Sequence, residues 1–282
     1  MVATKAPAQG SSLRHLAMIL FGNRDLARCD LAFFTAYFDA SGHPADSNLG
    51  ASLFFSGFVS TAEKWLRFEK AWLALLADNG IEPPFHMADF EAGEGQYARW
   101  RGDFAGRQVF LHKAAAVIRR HTRKPFSHGI VIADLQRMYD TYEFPENERR
   151  EAFPWCGVLV LGKVLAWARK GVRQGNMRGD DTIEFVFEDG DKHRGQFMDL
   201  AEETYKILPI PRKKNQHLQF DACDLLAWEH RRFLGQLVRR DTKHPPRSSL
   251  VEIMRLFPGG AFTFQHWGLL DAACKARGLK QR

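Results

Sequence analysis

The sequence predicts an α/β fold, a mixed β-sheet flanked on both faces by helices, with helical insertions. Three observations predict it. Two short aromatic-rich runs, over 33–39 and 52–59, follow a lead-in segment over 1–30, and their composition suits strands. Helical periodicity then alternates with further strand-length apolar runs to the end of the chain. Glycine and proline punctuate the junctions.

Taken in order, Phe33–Asp39 and Ser52–Val59 read as a hairpin, because Gly42, Pro44, Asp46, Asn48 and Gly50 lie between them. Ser60-Thr61-Ala62-Glu63 has the form of a capping box. Trp65, Phe68, Trp72, Leu75 and Leu76 then recur at helical spacing until Asn79-Gly80. Residues 81–102 read as a loop, and 104–121 as a helix with Val109, Phe110, Ala114, Val117 and Ile118 on its buried stripe. Gly129–Ala133 is a strand candidate, and 141–151 a charged loop. Residues 153–170 are apolar almost all round, the mark of a buried helix. A strand over 182–188, a tight turn at Gly190–Gly195 and a helix over 195–206 follow. Pro209, Pro211 and Arg212-Lys213-Lys214 form a connector to a long helix over 219–239. Beyond Pro245 come a strand candidate, Ala261–Phe264, and a helix over 268–277. With no repeats and no linker, residues 31–282 read as a single domain with a C-terminal extension.

Composition narrows the partners. The chain has 282 residues, 45% of them hydrophobic, with 23 Phe and 7 Trp, so a large core is available. Its formal charge is +7, and basic residues gather at 119–124, 212–214 and 231–240. That balance favours a polyanion, DNA or RNA. The four cysteines, Cys29, Cys156, Cys223 and Cys274, are far apart, which excludes a local zinc knuckle and points to a reducing compartment. No run of about 18 apolar residues is present, and the N-terminus is a poor signal peptide. The sequence thus predicts a cytoplasmic protein without a membrane partner. Phosphate-binding loops, a dinucleotide fingerprint, a nucleophile elbow and paired zinc ligands are missing from the sequence.

The acidic residues are the most informative. Asp39 closes the first apolar run, Glu188 and Asp189 close the run at 183–187, and Asp221 and Asp224 open the long helix. His86, Asp89 and Glu91 lie in Phe85-His86-Met87-Ala88-Asp89-Phe90-Glu91. A carboxylate beside packed apolar chain needs a partner, and a divalent cation is an efficient one. Asp221 and Asp224 are three apart, on one helix face. Simpler readings stand beside these: a turn start for Asp39, a helix N-terminal charge for Asp221, a core histidine for His86, and an N-cap for Asp89.

Tyr37-Phe38-Asp39-Ala40-Ser41-Gly42, Phe55-Ser56-Gly57-Phe58-Val59, Phe85-His86-Met87-Ala88-Asp89-Phe90, Phe187-Glu188-Asp189-Gly190 and Ala222-Cys223-Asp224-Leu225-Leu226-Ala227-Trp228 resemble the domain-of-unknown-function family 3800. The likeness runs from about residue 33 to 240. It implies a ribonuclease H-like fold and a metal-dependent nuclease, in a family with members linked to phage defence. The family's strand motif reads Asp-Glu-Ser-Gly, and here Ala40 replaces the glutamate. Its helix motif reads Gln-Ala-Ala-Asp, and here Asp221 stands at the glutamine.

The expectation is therefore a Mg2+- or Mn2+-dependent nuclease of DNA or RNA. Asp39, Asp224 and either Glu188 or Asp189 would hold the metal, with Asp221 assisting and His86 and Asp89 bordering the site. Arg212, Lys213 and Lys214 would contact phosphate. Removing the mutually repelling carboxylates would raise the thermal midpoint of the metal-free protein. The alternative is a nucleic-acid- or partner-binding module without catalysis, to which Ala40 lends weight.

Overall fold

In the computed structural model, which describes residues 34–42, 52–179, 181–238, 245–256 and 261–282, six strands form one mixed sheet. The lead-in at 1–30 and most of the loop between the first two strands lie outside the described residues. Strands β1 (Phe34–Ser41), β2 (Ser52–Thr61) and β3 (Lys124–Val131) form an antiparallel meander. β4 (Ile183–Glu188) runs parallel to β1 on its other side, and β5 (Ile210–Arg212) runs parallel to β4. β6 (Ala261–Gln265) pairs in parallel with β3, giving the order β5-β4-β1-β2-β3-β6.

Alternation along the strands divides the core in two. Tyr37, Phe58 and Val186 point to one face, where helices α1 (Ala62–Asp78), α2 (Met87–Ala92), α3 (Phe104–His121) and α7 (Gln219–Val238) pack. Phe38, Phe55, Phe185 and Phe187 point to the other, against α5 (Ala152–Arg173), α4 (Ile132–Thr141) and α6 (Arg194–Tyr205). Helix α8 (Ser248–Leu256) lies against α3, and α9 (Trp267–Ala276) against α4. Helix α5 is long and apolar enough to cross a membrane by length and composition. Phe153, Cys156, Val160, Leu161 and Val164 nonetheless bury its inner face against the sheet.

The strand at 183–188 joins the same sheet as the hairpin, beside β1. Other elements differ from the sequence reading. β3 begins at Lys124 rather than Gly129, because a proline and polar residues fill its first half. Its end also differs: Ile132 starts α4. Residues 81–102 hold α2 and a 3-10 segment, Gly95–Trp100. On α3 the buried stripe runs through Phe110, Leu111, Ala114, Ala115 and Ile118, leaving Val109 55% exposed.

Gly42, which ends the Asp-x-Ser-Gly run, has φ +128°, and a Cβ there would lie 2.1 Å from the carbonyl oxygen of Ser52. Only glycine fits both the dihedral and the approach of β2. Gly42→Ala should therefore destabilise the protein by about 2 kcal/mol or more, read as a lowered urea midpoint. An unchanged midpoint would show that this turn relaxes freely.

Candidate active site

Asp39 and Glu188 sit side by side at the carboxyl ends of parallel neighbours. Phe38 of β1 is in register with Phe187 of β4, so the next residues along are Asp39 and Glu188. Each lies two residues beyond one that points to the α7 face, Tyr37 and Val186, and so shares that face. Ligands of open α/β sheets gather outside the carboxyl ends of strands, and a cleft of about 220 Å3 opens at these ends on the α5 side of the sheet, lined by Asp39, Glu188, Phe38, Ala40, Phe55 and Phe153 among others, but not by Lys214 or Asp224.

Helix α7 brings the third carboxylate. The Cys223 thiol donates to the Tyr37 carbonyl oxygen at 3.1 Å, tying the helix to β1 two residues before Asp39. Tyr37 packs edge-on against Trp65 and Phe220, at 5.4 and 5.6 Å between ring centroids. Asp224 lies one residue beyond this anchor. Its Oδ2 accepts the Met87 backbone N–H at 2.9 Å.

A cation already stands between the carboxylates. Lys214 follows β5 in a short 3-10 turn, Lys214–Gln216. Its Nζ lies 3.3 Å from Asp39 Oδ2 and 2.8 Å from Asp224 Oδ2, and its side chain is only 9% exposed. Burial pushes the Asp39 carboxyl well above the ordinary carboxylate range; the Lys214 ammonium opposes this, and Glu188 and Asp224 reinforce it. For Lys214 itself burial disfavours the charge, but Asp39 and Asp224 outweigh it and its pKa is raised. Asp39, Glu188 and Asp224 are three carboxylates facing one ammonium. When all are ionised, 3 − 1 = 2 negative charges remain uncompensated in a poorly hydrated place.

The other residues singled out in the sequence take distinct positions. Asp189 forms an ion pair with Arg194, and its N–H donates to the Arg212 carbonyl oxygen, so Glu188 is the strand-end carboxylate nearer Asp39. Asp221 is fully buried, and its Oδ2 accepts Trp72 Nε1 at 2.8 Å and the Phe85 N–H at 3.0 Å. It pins α1 and the His86 segment to α7, while its Oδ1 has no hydrogen-bond partner. His86 is half-buried at the start of α2, its N–H donating to Tyr97 Oη, and Asp89 is exposed on that helix. What this segment gives the site is the Met87 N–H. Glu91 forms ion pairs with Arg247 and Arg107. Arg212 and Lys213 are exposed, so the basic run is divided, with only Lys214 turned inward.

Two contributors escaped the sequence reading: Lys214 as the inward cation, and the Met87 N–H. A lysine within a basic run carries no signal of its direction. Among the described residues no group of three or more His, Cys, Asp or Glu side chains is arranged to hold a metal ion. This chain matches no protein-family model, no curated protein and no solved structure.

Burial raises the Asp221 carboxyl from 3.8 to about 7, against the hydrogen bonds from Phe85 and Trp72, which lower it. A carboxyl with a raised folded pKa gives stability that is full below its unfolded pKa and lost as pH rises through the folded value. Asp221→Asn removes that titration. Its stability relative to the parent should rise by ~2 kcal/mol between pH 5 and pH 8, measured by urea unfolding at both. Parallel pH profiles for the two proteins would show that Asp221 stays ionised in the fold.

Proposed function

We propose that the protein is a divalent-metal-dependent nuclease that hydrolyses phosphodiester bonds of nucleic acid, with Asp39, Glu188 and Asp224 as its acidic centre. One observation carries the reading. Asp39 from a strand end and Asp224 from a crossing helix pair with a single buried ammonium, and Glu188 adds a third carboxylate beside Asp39 on the parallel strand, more acidic groups than Lys214 alone can balance. The meander β1-β2-β3, with β4 and β5 added in parallel beside β1, supports the ribonuclease H-like fold that the resemblance to family 3800 implies.

The donor set suits a hard cation. Every candidate ligand is a carboxylate oxygen, the preference of Mg2+ and Mn2+, and Asp39 and Asp224 already hold positive charge between them. Asp39, Glu188 and Asp224 would hold the ion. Bound there, it would supply an activated water and charge to stabilise the phosphoryl oxygens in an in-line displacement. The rest falls to the chain itself. The Met87 N–H fixes one oxygen of Asp224. Asp221 holds α7 against α1 from beneath. Lys214, once it releases the carboxylates, is the residue nearest the site to take a phosphate oxygen.

The second reading is a nucleic-acid- or partner-binding module without catalysis. Lys214 favours it, because a permanent internal cation can stand in place of a metal, and so does Ala40 at the family's glutamate. Incubation of labelled single- and double-stranded DNA and RNA with the purified protein, in Mn2+ and in EDTA, separates them. The nuclease reading expects cleavage that EDTA abolishes. Intact substrates under both conditions would leave the binding module.

A further inference from the structure

A second, larger cavity adjoins the acidic cleft. Its volume is about 710 Å3, and the two share Gly42, Phe153, Gly190 and Asp191, so they form one continuous groove. The groove runs over the α5 face of the sheet and meets the acidic centre only at the carboxyl strand ends, where Asp39 and Glu188 line it while Lys214 and Asp224 lie on the opposite face. Arg149, Arg150, Lys192 and His193 line its far part. Among the described residues, Arg149, Arg150 and Lys192 have no carboxylate partner; the Arg149 guanidinium lies 5.8 Å from the Tyr139 ring centroid, and Arg150 Nη1 donates to the carbonyl oxygens of Asn147 and Arg149. Glu151 and Asp191 line it too, so three cations stand beside two carboxylates, and Asp191 Oδ1 accepts the His193 N–H at 2.7 Å. Leu53, Ile132, Leu135 and Phe153 give the cavity an apolar wall. Its volume falls in the range of pockets that enclose small ligands, roughly 300–1,000 Å3.

Resting on the nuclease reading above, we propose that this cavity is the substrate-docking groove, and that its ligand is single-stranded nucleic acid. Charge and shape both point to that class. Three cations without ion-pair partners, on a groove that ends at Asp39 and Glu188, match a chain of phosphates. A recessed groove with an apolar wall admits an unstacked base, which a duplex keeps inside its stack. The exposed Arg212 and Lys213, which the sequence put forward as the phosphate contacts, do not line this groove.

The test is binding of a fluorescein-labelled twelve-nucleotide oligothymidylate by anisotropy, in EDTA, so that neither metal nor cleavage enters. Arg149→Ala/Arg150→Ala/Lys192→Ala should weaken binding about tenfold or more at low salt. It should also flatten the log-log salt dependence by roughly 0.7 for each phosphate that is no longer neutralised. Arg212→Ala/Lys213→Ala should bind within about twofold of the parent, as expected of solvated charges. A duplex of equal length should compete poorly. Lys192→Glu alone, at an exposed position, should weaken binding in the same direction and guards against misfolding of the triple variant. Parent-like affinity in both groove variants overturns the groove while leaving the nuclease reading to the cleavage assay. Equal competition by duplex overturns the single-strand assignment. A parent that binds no oligothymidylate overturns the groove as well.

Discussion

Replacing Lys214 by methionine should destabilise the metal-free protein by about 3–5 kcal/mol, the usual loss when one partner of a buried ion pair is removed. Methionine keeps most of the volume and removes the charge. Asp39, whose side chain is 3% exposed, and Asp224, 14% exposed, then face each other and Glu188 without a counter-ion. Manganese should recover much of that loss, because a ligand present at about a hundred times its dissociation constant adds about 2.7 kcal/mol. The variant should also bind manganese more tightly than the parent, since no ammonium has to leave. Thermal midpoints of both proteins, with and without Mn2+, check this. A variant as stable as the parent, or one that Mn2+ leaves unchanged, would show that Lys214 is not the counter-ion of the site.

Asp39→Asn and Asp224→Asn should each lower metal-dependent cleavage by about a hundredfold or more, the scale on which losing one preorganised charge-stabilising group acts. An amide keeps the shape of the carboxyl and loses the anion. The sequence alone implied that removing a repelling carboxylate would raise the midpoint of the metal-free protein. Lys214 changes that sign for Asp224, which is the nearer partner of the ammonium at 2.8 Å and accepts the Met87 N–H as well. Asp224→Asn should therefore leave the metal-free midpoint unchanged or lower it. Full activity in either variant would remove that residue from the metal-binding set.

Much of the frame was legible because the residues that build it are periodic. Trp65, Phe68 and Trp72 announce α1, and the aromatic runs announce β1 and β2. Asp39, Glu188 and Asp224 were legible as carboxylates ending or opening apolar segments. The elements that escaped are short or polar at the surface. β5 is three residues at the sheet edge with Pro211 in its middle, where a proline is tolerated but reads as a connector. α4 shows only Leu135, Met138 and Tyr139 at helical steps. α8 hides in the tail, although Leu250 and Ile253 are buried. At the site, direction was the missing information. Lys214 and Arg212 look alike in sequence, yet the 3-10 turn after β5 brings Lys214 to Asp39 and Asp224 and leaves Arg212 in water. Asp221 and Asp224 share a helix, but Trp72 and Phe85 claim Asp221.

The most direct measurement is a calorimetric titration of the parent, Asp39→Asn and Asp224→Asn with Mn2+. A metal-dependent centre predicts saturable binding by the parent, with matching thermal stabilisation, and binding weakened at least about tenfold in each variant, as expected when one anionic ligand of a dication is lost. A parent that neither binds Mn2+ nor gains stability from it, or variants that bind as tightly as the parent, would contradict the assignment of Asp39 and Asp224 to a metal site.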